Sequence, residues 1–358
     1  MFFENVQCVR CGQTLGFLPD LLDVSALKPD PANDNSWQAL TPAAGDRLYR
    51  QCQNWREHRV CNWLVPAEEE NPFCDACRMN QTIPNLAIAG NLKRWFKTEK
   101  AKRRLIYTLL RLQLPMKGSP IEMGPALRFE FLAEDNSGAA LFTGHKNGLI
   151  TLNIAEADDE EREKRRVRLH EPYRTLLGHF RHEVAHYYWD QLIANTPRLF
   201  RFRELFGDER QDYAAALQNY YYQGAPADWQ MRQVSAYCSA HPWEDWAETF
   251  AHYLHIMDTV ETAGDFGMTL RPDHPEASLM TANPKTVPKV GASFDVILSN
   301  WLPLTYALNS LNRGMGLPDL YPFVLSTAAI EKLRYVHETV QESSAARSQV
   351  APTPGGSA

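Results

Sequence analysis

No stretch of about 18 uninterrupted apolar residues occurs in the chain, so no segment is expected to span a membrane. The opening residues, MFFENVQCVRC, lack the basic stretch and apolar run of a secretory leader. Strong charge of either sign is missing too. With 37 basic and 43 acidic residues the net charge is −6, which gives no global drive toward nucleic acid or an acidic membrane. There is no internal repeat, which excludes a solenoid. At 44% hydrophobic and 22% charged, the composition is neither disordered nor fibrous. Cysteine is almost confined to the start: of 7, six lie in the first 77 residues. These absences point to a soluble cytoplasmic protein, and 358 residues suggest about two domains.

The cysteines that are present carry a pattern. Cys8-Val9-Arg10-Cys11 and Cys74-Asp75-Ala76-Cys77 both have CxxC spacing, which lets two thiolates bend around one tetrahedral ion. Each pair would supply half of a zinc shell, so Cys8, Cys11, Cys74 and Cys77 are the expected ligands of a structural zinc. An odd count in a reducing compartment makes a disulfide framework a poor alternative. Cys52 and Cys61 lie between the pairs and could form a second site or be replacement ligands; they are expected to be core thiols or to support the shell.

The first 85 or so residues read as short strands and loops, with PDPANDNS at 29–36 as a turn-rich insertion. So small a core needs a staple, and zinc supplies one. From Asn91, apolar residues at Trp95, Leu105, Leu109 and Leu112 alternate with lysines and arginines, which predicts a helix ending before Pro115 with its basic side chains toward solvent. Residues 127–154 read as strands, with turns at Asn136-Ser137-Gly138 and at Asn147-Gly148. The charged block 158–168 reads as a solvated segment. A helix follows from Pro172, with Leu176, Phe180, Val184 and Tyr188 as its apolar stripe. Another starts at Pro242, and further helical segments lie near 290–312 and 322–341. The expected organisation is a zinc ribbon at 1–88, a larger domain at 89–342 and a disordered tail at 343–358. The fold class is α+β.

Within the helix after Pro172 stands His182-Glu183-Val184-Ala185-His186, an HExxH motif. Residues i and i+4 share a helix face, so both imidazoles can reach one ion while Glu183 faces a bound water. Zinc lowers the pKa of that water toward 7, and the carboxylate can take its proton and pass it to a leaving amine. Two imidazoles leave the ion short of a ligand. The metzincin solution needs Gly at 189 and His at 192, where this chain has Trp189 and Leu192. A glutamate from the later helix is the remaining common solution. Glu248, in the aromatic stretch AETFAHY, is the expected third ligand, and that stretch resembles the glutamate helix of gluzincin peptidases. Glu244, one turn earlier on the same face, is expected to hydrogen-bond the ligand shell, with ligation by it as the alternative. Asp190, one turn after His186, is expected to orient a ligand imidazole. His179 reads as structural. His241, His252, His255, Tyr237 and Tyr253 are candidate donors to an oxyanion, and the sequence does not choose among them.

The strings TGHKNGLITLNIAEADDEEREKRR, EPYRTLLGHFRHEVAHYYWD, LFGDERQDY and HPWEDWAETFAHYLHIMDT, with CNWLVP at 61–66 and CRMNQTIP at 77–84, resemble a bacterial family of zinc-binding metallopeptidases with an N-terminal zinc ribbon. The resemblance covers roughly residues 5–340. It implies a zincin-like domain, short mixed sheet plus HExxH helix and then a mainly helical part, using His182, Glu183, His186 and a later acidic residue. The expected activity is zinc-dependent hydrolysis of peptide bonds, with one catalytic and one structural Zn2+ and a peptide or protein as substrate. Two other classes compete: a non-catalytic, zinc-dependent peptide-binding protein, and a nucleic-acid-binding ribbon that uses the basic helix at 91–112. The complete HExxH tells against both, and no nucleic-acid partner is expected. Nothing in the sequence sets the oligomeric state.

Overall fold

The computed structural model describes residues 3–116, 125–133, 141, 143–169, 175–273 and 277–350. Five short strands form the first sheet: β1 (Leu15–Leu18), β2 (Asp23–Pro29), β3 (Trp37–Ala39), β4 (Leu48–Gln51) and β5 (Leu64–Pro66). They pair antiparallel in chain order. The turn-rich insertion is the β2–β3 loop, where Asp30 and Asn33 accept the N–H groups of Ala32 and Asn35, each at 3.0 Å. Leu15, Phe17, Leu18, Tyr49, Trp63 and Leu64 are the buried side chains of this sheet. Between β4 and β5 the chain makes one short helix, α1 (Gln53–His58), ended by Arg59 in the left-handed region.

The second sheet contains β6 (Asn80–Thr82), β7 (Arg128–Leu132), β8 (Gly144–Lys146) and β9 (Leu149–Asn153) in the order β6-β7-β9-β8. Its β8–β9 hairpin turns at Asn147-Gly148 as the sequence predicts, with φ of 50° and 76°. Both residues at positive φ suit the right-handed twist of a hairpin. A Cβ on Gly148 would meet the Ala126 carbonyl oxygen at 2.7 Å. Gly148→Ala should therefore cost about 1–3 kcal/mol, seen as a lower urea midpoint, and an unchanged midpoint would refute this account of the turn. The turn expected at Asn136-Ser137-Gly138, and Pro172, lie outside the described residues.

Helix α2 (Asn91–Arg111) buries Trp95, Leu105 and Leu109. Lys93, Lys100 and Arg104 are exposed as expected, but two of its basic side chains depart from a solvated face. Lys102 and Arg103 are buried with Glu99. Lys102 Nζ lies 3.0 Å from Glu99 Oε2, and Asn80 and Trp95 donate to Glu99 Oε1 at 2.6 and 3.1 Å. Burial is tolerable because each charge has partners. The charged block folds as α3 (Asp159–Leu169), with Lys164 and Glu160 paired at 2.7 Å across one turn.

The remaining helices are α4 (Leu176–Leu192), α5 (Arg198–Phe206), α6 (Tyr213–Gln223), α7 (Pro242–Asp265), α8 (Phe294–Gly314) and α9 (Thr327–Val350). Eight residues given to a disordered tail, 343–350, instead continue α9. Small polar composition concealed good helix formers there, Ala, Gln and Arg among them. The rest of that tail lies outside the described residues.

The chain is α+β and packs as two compact units. One holds both sheets, α2, α3 and the α4 residues up to Phe180, whose ring packs on Phe129 and Phe131 with centroids at 5.8 and 6.2 Å. Most of residues 89–180 therefore pack with the N-terminal sheet, although they follow the sequence boundary at 88. The other unit holds the rest of α4 and α5–α9, centred on α7, where Trp246, Phe250 and Tyr253 are fully buried. Among the described residues no helix is long and apolar enough to cross a membrane.

Candidate metal centres

In the first unit, Cys52, Cys61, Cys74 and Cys77 offer sulfurs that all lie within 4.8 Å of one another, and all four residues are buried. This corrects the expected ligand set: Cys52 and Cys61, not Cys8 and Cys11, join Cys74 and Cys77. The reason is the β4–β5 pairing. Cys52 directly follows β4, Cys61 precedes β5, and the register Gln51↔Leu64 brings both ends of the intervening loop together. Cys61 Sγ and Cys74 Sγ are 3.7 Å apart, against about 3.8 Å for the edge of a tetrahedron with Zn–S of about 2.3 Å. Backbone N–H groups of Trp63 and Cys74 point at the sulfurs of Cys61 and Cys52, each at 3.4 Å.

Four thiolates around a divalent ion leave excess negative charge. Arg103 answers it: the guanidinium is fully buried, and although burial opposes its charge, Cys61, Glu99, Cys77 and Cys74 hold its pKa up. Burial also pushes the Cys74 thiol well above its ordinary value, so a metal bound there would have to displace its proton to solvent. The donor set fits structural zinc. Cys8 and Cys11 sit in a separate turn, Cys8 partly and Cys11 fully exposed, closed by the Gly12 N–H on the Cys8 carbonyl at 2.8 Å.

In the second unit, α4 presents His182, Glu183 and His186, and α7 presents Glu244 and Glu248. Trp246 Nε1 donates to the Ala185 carbonyl at 2.8 Å, and Tyr188 stacks on Phe250 at 5.4 Å, so the two helices are held in one axial register. In that register His182 Nε2 and His186 Nε2 lie 3.3 Å apart. Glu244 straddles them, with Oε2 3.0 Å from His182 Nε2 and Oε1 3.6 Å from His186 Nε2. A tetrahedral ion with ligands at roughly 2.0–2.1 Å has edges of about 3.4 Å. His182, His186 and Glu244 fit one metal ion by distance and by chemistry.

Glu248 stands elsewhere, which corrects its expected place. Its Oε1 lies 2.8 Å from His182 Nδ1, on the far side of the imidazole from Glu244. Its Oε2 accepts from Ser235 Oγ at 2.8 Å. Positions 244 and 248 share a helix face, and the axial register of α7 against α4 brings 244 to the ring nitrogens that face His186. Both neighbours of the His182 ring are carboxylates, which can only accept, so without an ion both ring nitrogens can carry protons; Glu248 holds the one on Nδ1, the proton that would remain when Nε2 turns to an ion. The buried Glu244 Oε2 has His182 Nε2 as its neighbour at 3.0 Å, and an ion at the site would take the place of the proton between them.

The electrostatics agree. Burial works against charge on His182, but Glu244 and Glu248 on its two sides raise its pKa well above the ordinary value. Burial likewise pushes Glu244 up, but the neighbouring imidazoles and the Tyr213 hydroxyl hold it at about 2. With Glu183, also buried, three carboxylates surround two imidazoles. Such a cluster is costly without a cation.

With that geometry in place, comparison with known proteins is informative. Residues 91–339 match the family model described as "Putative zinc-binding metallo-peptidase", and residues 1–88 match a zinc-ribbon domain. The chain belongs to that metallo-peptidase family. An uncharacterized protein of Mycobacterium tuberculosis and one of Mycobacterium bovis are each 42% identical to it over 341 residues, 95% of this chain and 92% of theirs. No solved structure matches the chain.

The other residues singled out in the sequence have these places. Asp190 is exposed and holds neither imidazole; Glu248 does that on His182. His179 is structural, its Nδ1 2.7 Å from the buried Glu156. His241 caps α7, His252 bonds Tyr321 at 2.6 Å, His255 lies 3.3 Å from Arg181 and Tyr253 meets His337 at 3.2 Å. Of the five oxyanion candidates, Tyr237 has its ring against a site imidazole, 6.0 Å from that of His182. Tyr213 was not among the candidates, yet its hydroxyl donates to Glu244 Oε1 at 2.7 Å. It closes the string LFGDERQDY, which offered no chemical signal beyond resemblance.

Proposed function

We propose that this metallo-peptidase hydrolyses peptide bonds, with His182, His186 and Glu244 holding a catalytic zinc in the gluzincin manner and Glu183 as general base. One observation carries the reading: two imidazole nitrogens and a carboxylate converge at 3.0–3.6 Å, and the next residue after His182 is a buried glutamate. When bound, zinc supplies Lewis acidity that makes a water nucleophilic near neutral pH and polarises the substrate carbonyl. The protein's residues do the rest. The Glu183 carboxylate takes the proton of the attacking water and delivers it to the departing amine nitrogen. Glu248 keeps the proton of His182 on Nδ1. Tyr237, whose phenol is kept protonated by burial and by the charge of Glu244, is the donor for the developing oxyanion.

The rival nucleic-acid reading loses its main support in α2. Arg94 pairs with Asp158, Lys97 with Asp159, Lys102 with Glu99 and Arg104 with Glu4, while Arg103 donates to the Val60 carbonyl. With five of the seven cations at 93–104 engaged, only the exposed Lys93 and Lys100 are left for phosphate, which makes a poor binding face.

The test is a proteome-derived peptide library incubated with purified wild type and with Glu183→Gln, read by mass spectrometry. Wild type should cut; the variant should keep its metal and lose on the order of 10²–10⁴-fold in rate. Equal cleavage by both would overturn the mechanism, and no cleavage by either, with tight peptide binding, would favour a non-catalytic peptide binder.

A further inference from the structure

Tyr213 opens α6, a helix with no buried residue, yet its hydroxyl reaches a carboxylate that is 1% exposed. The ring is seated on the start of α7, with centroids 5.1 Å from His241 and 5.9 Å from Trp243. His241 is the N-cap of α7, its Nδ1 accepting the Trp243 N–H at 3.1 Å. Tyr213 is therefore docked on the end of the same helix that carries Glu244. The first turn of α6 is fixed in turn by Asp212, whose Oδ1 accepts the Ala215 N–H at 3.0 Å.

The two oxygens of Glu244 are not equivalent. Oε1 accepts from Tyr213 at 2.7 Å and is 3.6 Å from His186 Nε2. Oε2 faces His182 Nε2 at 3.0 Å, the ring nitrogen with which it would share an ion. A hydrogen bond on one oxygen ties up its lone pair and fixes the rotation of the carboxylate, leaving the other oxygen free for an ion. We infer that Tyr213 is a positioning residue that makes Glu244 a single-oxygen metal ligand, so that the seating of α6 sets the metal affinity of the histidine site. This rests on the metal reading above.

The test uses the full-length protein loaded with zinc or Co2+. In competition with a chelator, Tyr213→Phe, which keeps the ring and loses the hydroxyl, should weaken the histidine-site metal by about 10–100-fold, as removal of an outer hydrogen-bond partner does. The thiolate-held zinc should be untouched. Co2+ bound at the histidine site should lose visible-band intensity in the variant as the freed second oxygen joins the ion. Asp212→Ala, which only loosens the first turn of α6, should give a smaller loss in the same direction, and it decides the matter should Tyr213→Phe fail to retain its thiolate-held zinc. Equal affinity and an unchanged cobalt spectrum in folded Tyr213→Phe would overturn the inference alone. A wild type with only one zinc, unaffected by His182→Ala, would overturn the metal reading and the inference with it.

Discussion

Serine in place of Cys52 or Cys61 should release the zinc of the N-terminal unit and unfold the sheet around it, while serine at Cys8 or Cys11 should leave both intact. Four buried sulfurs within 4.8 Å of one another could hold the ion between them, and a buried Arg103 would offset the charge they carry when metallated. Structural zinc contributes an apparent binding free energy of roughly 10–16 kcal/mol, at or above the roughly 5–15 kcal/mol net stability of an ordinary domain. Loss of one ligand leaves three thiols and a guanidinium in the core with no ion to balance them. Zinc stoichiometry by native mass spectrometry and limited proteolysis of the N-terminal unit read the result. Cys74→Ser should likewise lose one equivalent. Zinc lost in Cys8→Ser but kept in Cys52→Ser would return the ligand set to the paired CxxC motifs.

The contrast shows where sequence is informative. A CxxC pair is a local signal, legible because its two sulfurs meet through one tight turn. Cys52 and Cys61 meet only because β4 and β5 pair, and nothing in eight intervening residues announces that pairing. The HExxH helix, the Asn147-Gly148 turn and the helix from Pro242 were legible for the same local reason: periodicity, turn chemistry and caps act within a few residues. Lys102 and Arg103 were misplaced because charge predicts exposure only when no partner waits inside, and Asn80 and the Val60 carbonyl, which join Glu99 as their partners, come from other elements. Tyr213 had no readable role, since its partner is 31 residues away on another helix.

Glu244 and Glu248 pose the same problem in its sharpest form, because one helical turn separates them and their side chains share a face. Periodicity gives both residues equal access to α4. What chooses between them is axial register, set by Trp246 on the Ala185 carbonyl and by Tyr188 on Phe250. Glu244→Ala should therefore remove a ligand and weaken zinc at the histidine site by more than the roughly 10–100-fold that loss of an outer partner costs. Glu248→Ala should fall within that range, since it frees His182 to rotate and exchange tautomers but leaves the ligand atoms in place. The amide variants sharpen the contrast. In Glu248→Gln the amide oxygen can still accept the Nδ1–H of His182, so most of the affinity should survive. In Glu244→Gln the neutral amide replaces the charge that the ion requires, so little should. Chelator competition on the four proteins reads the order directly. Wild-type affinity in Glu244→Ala, with loss in Glu248→Ala, would show that α7 slides one turn along α4 when the metal binds, against the packing of Trp246.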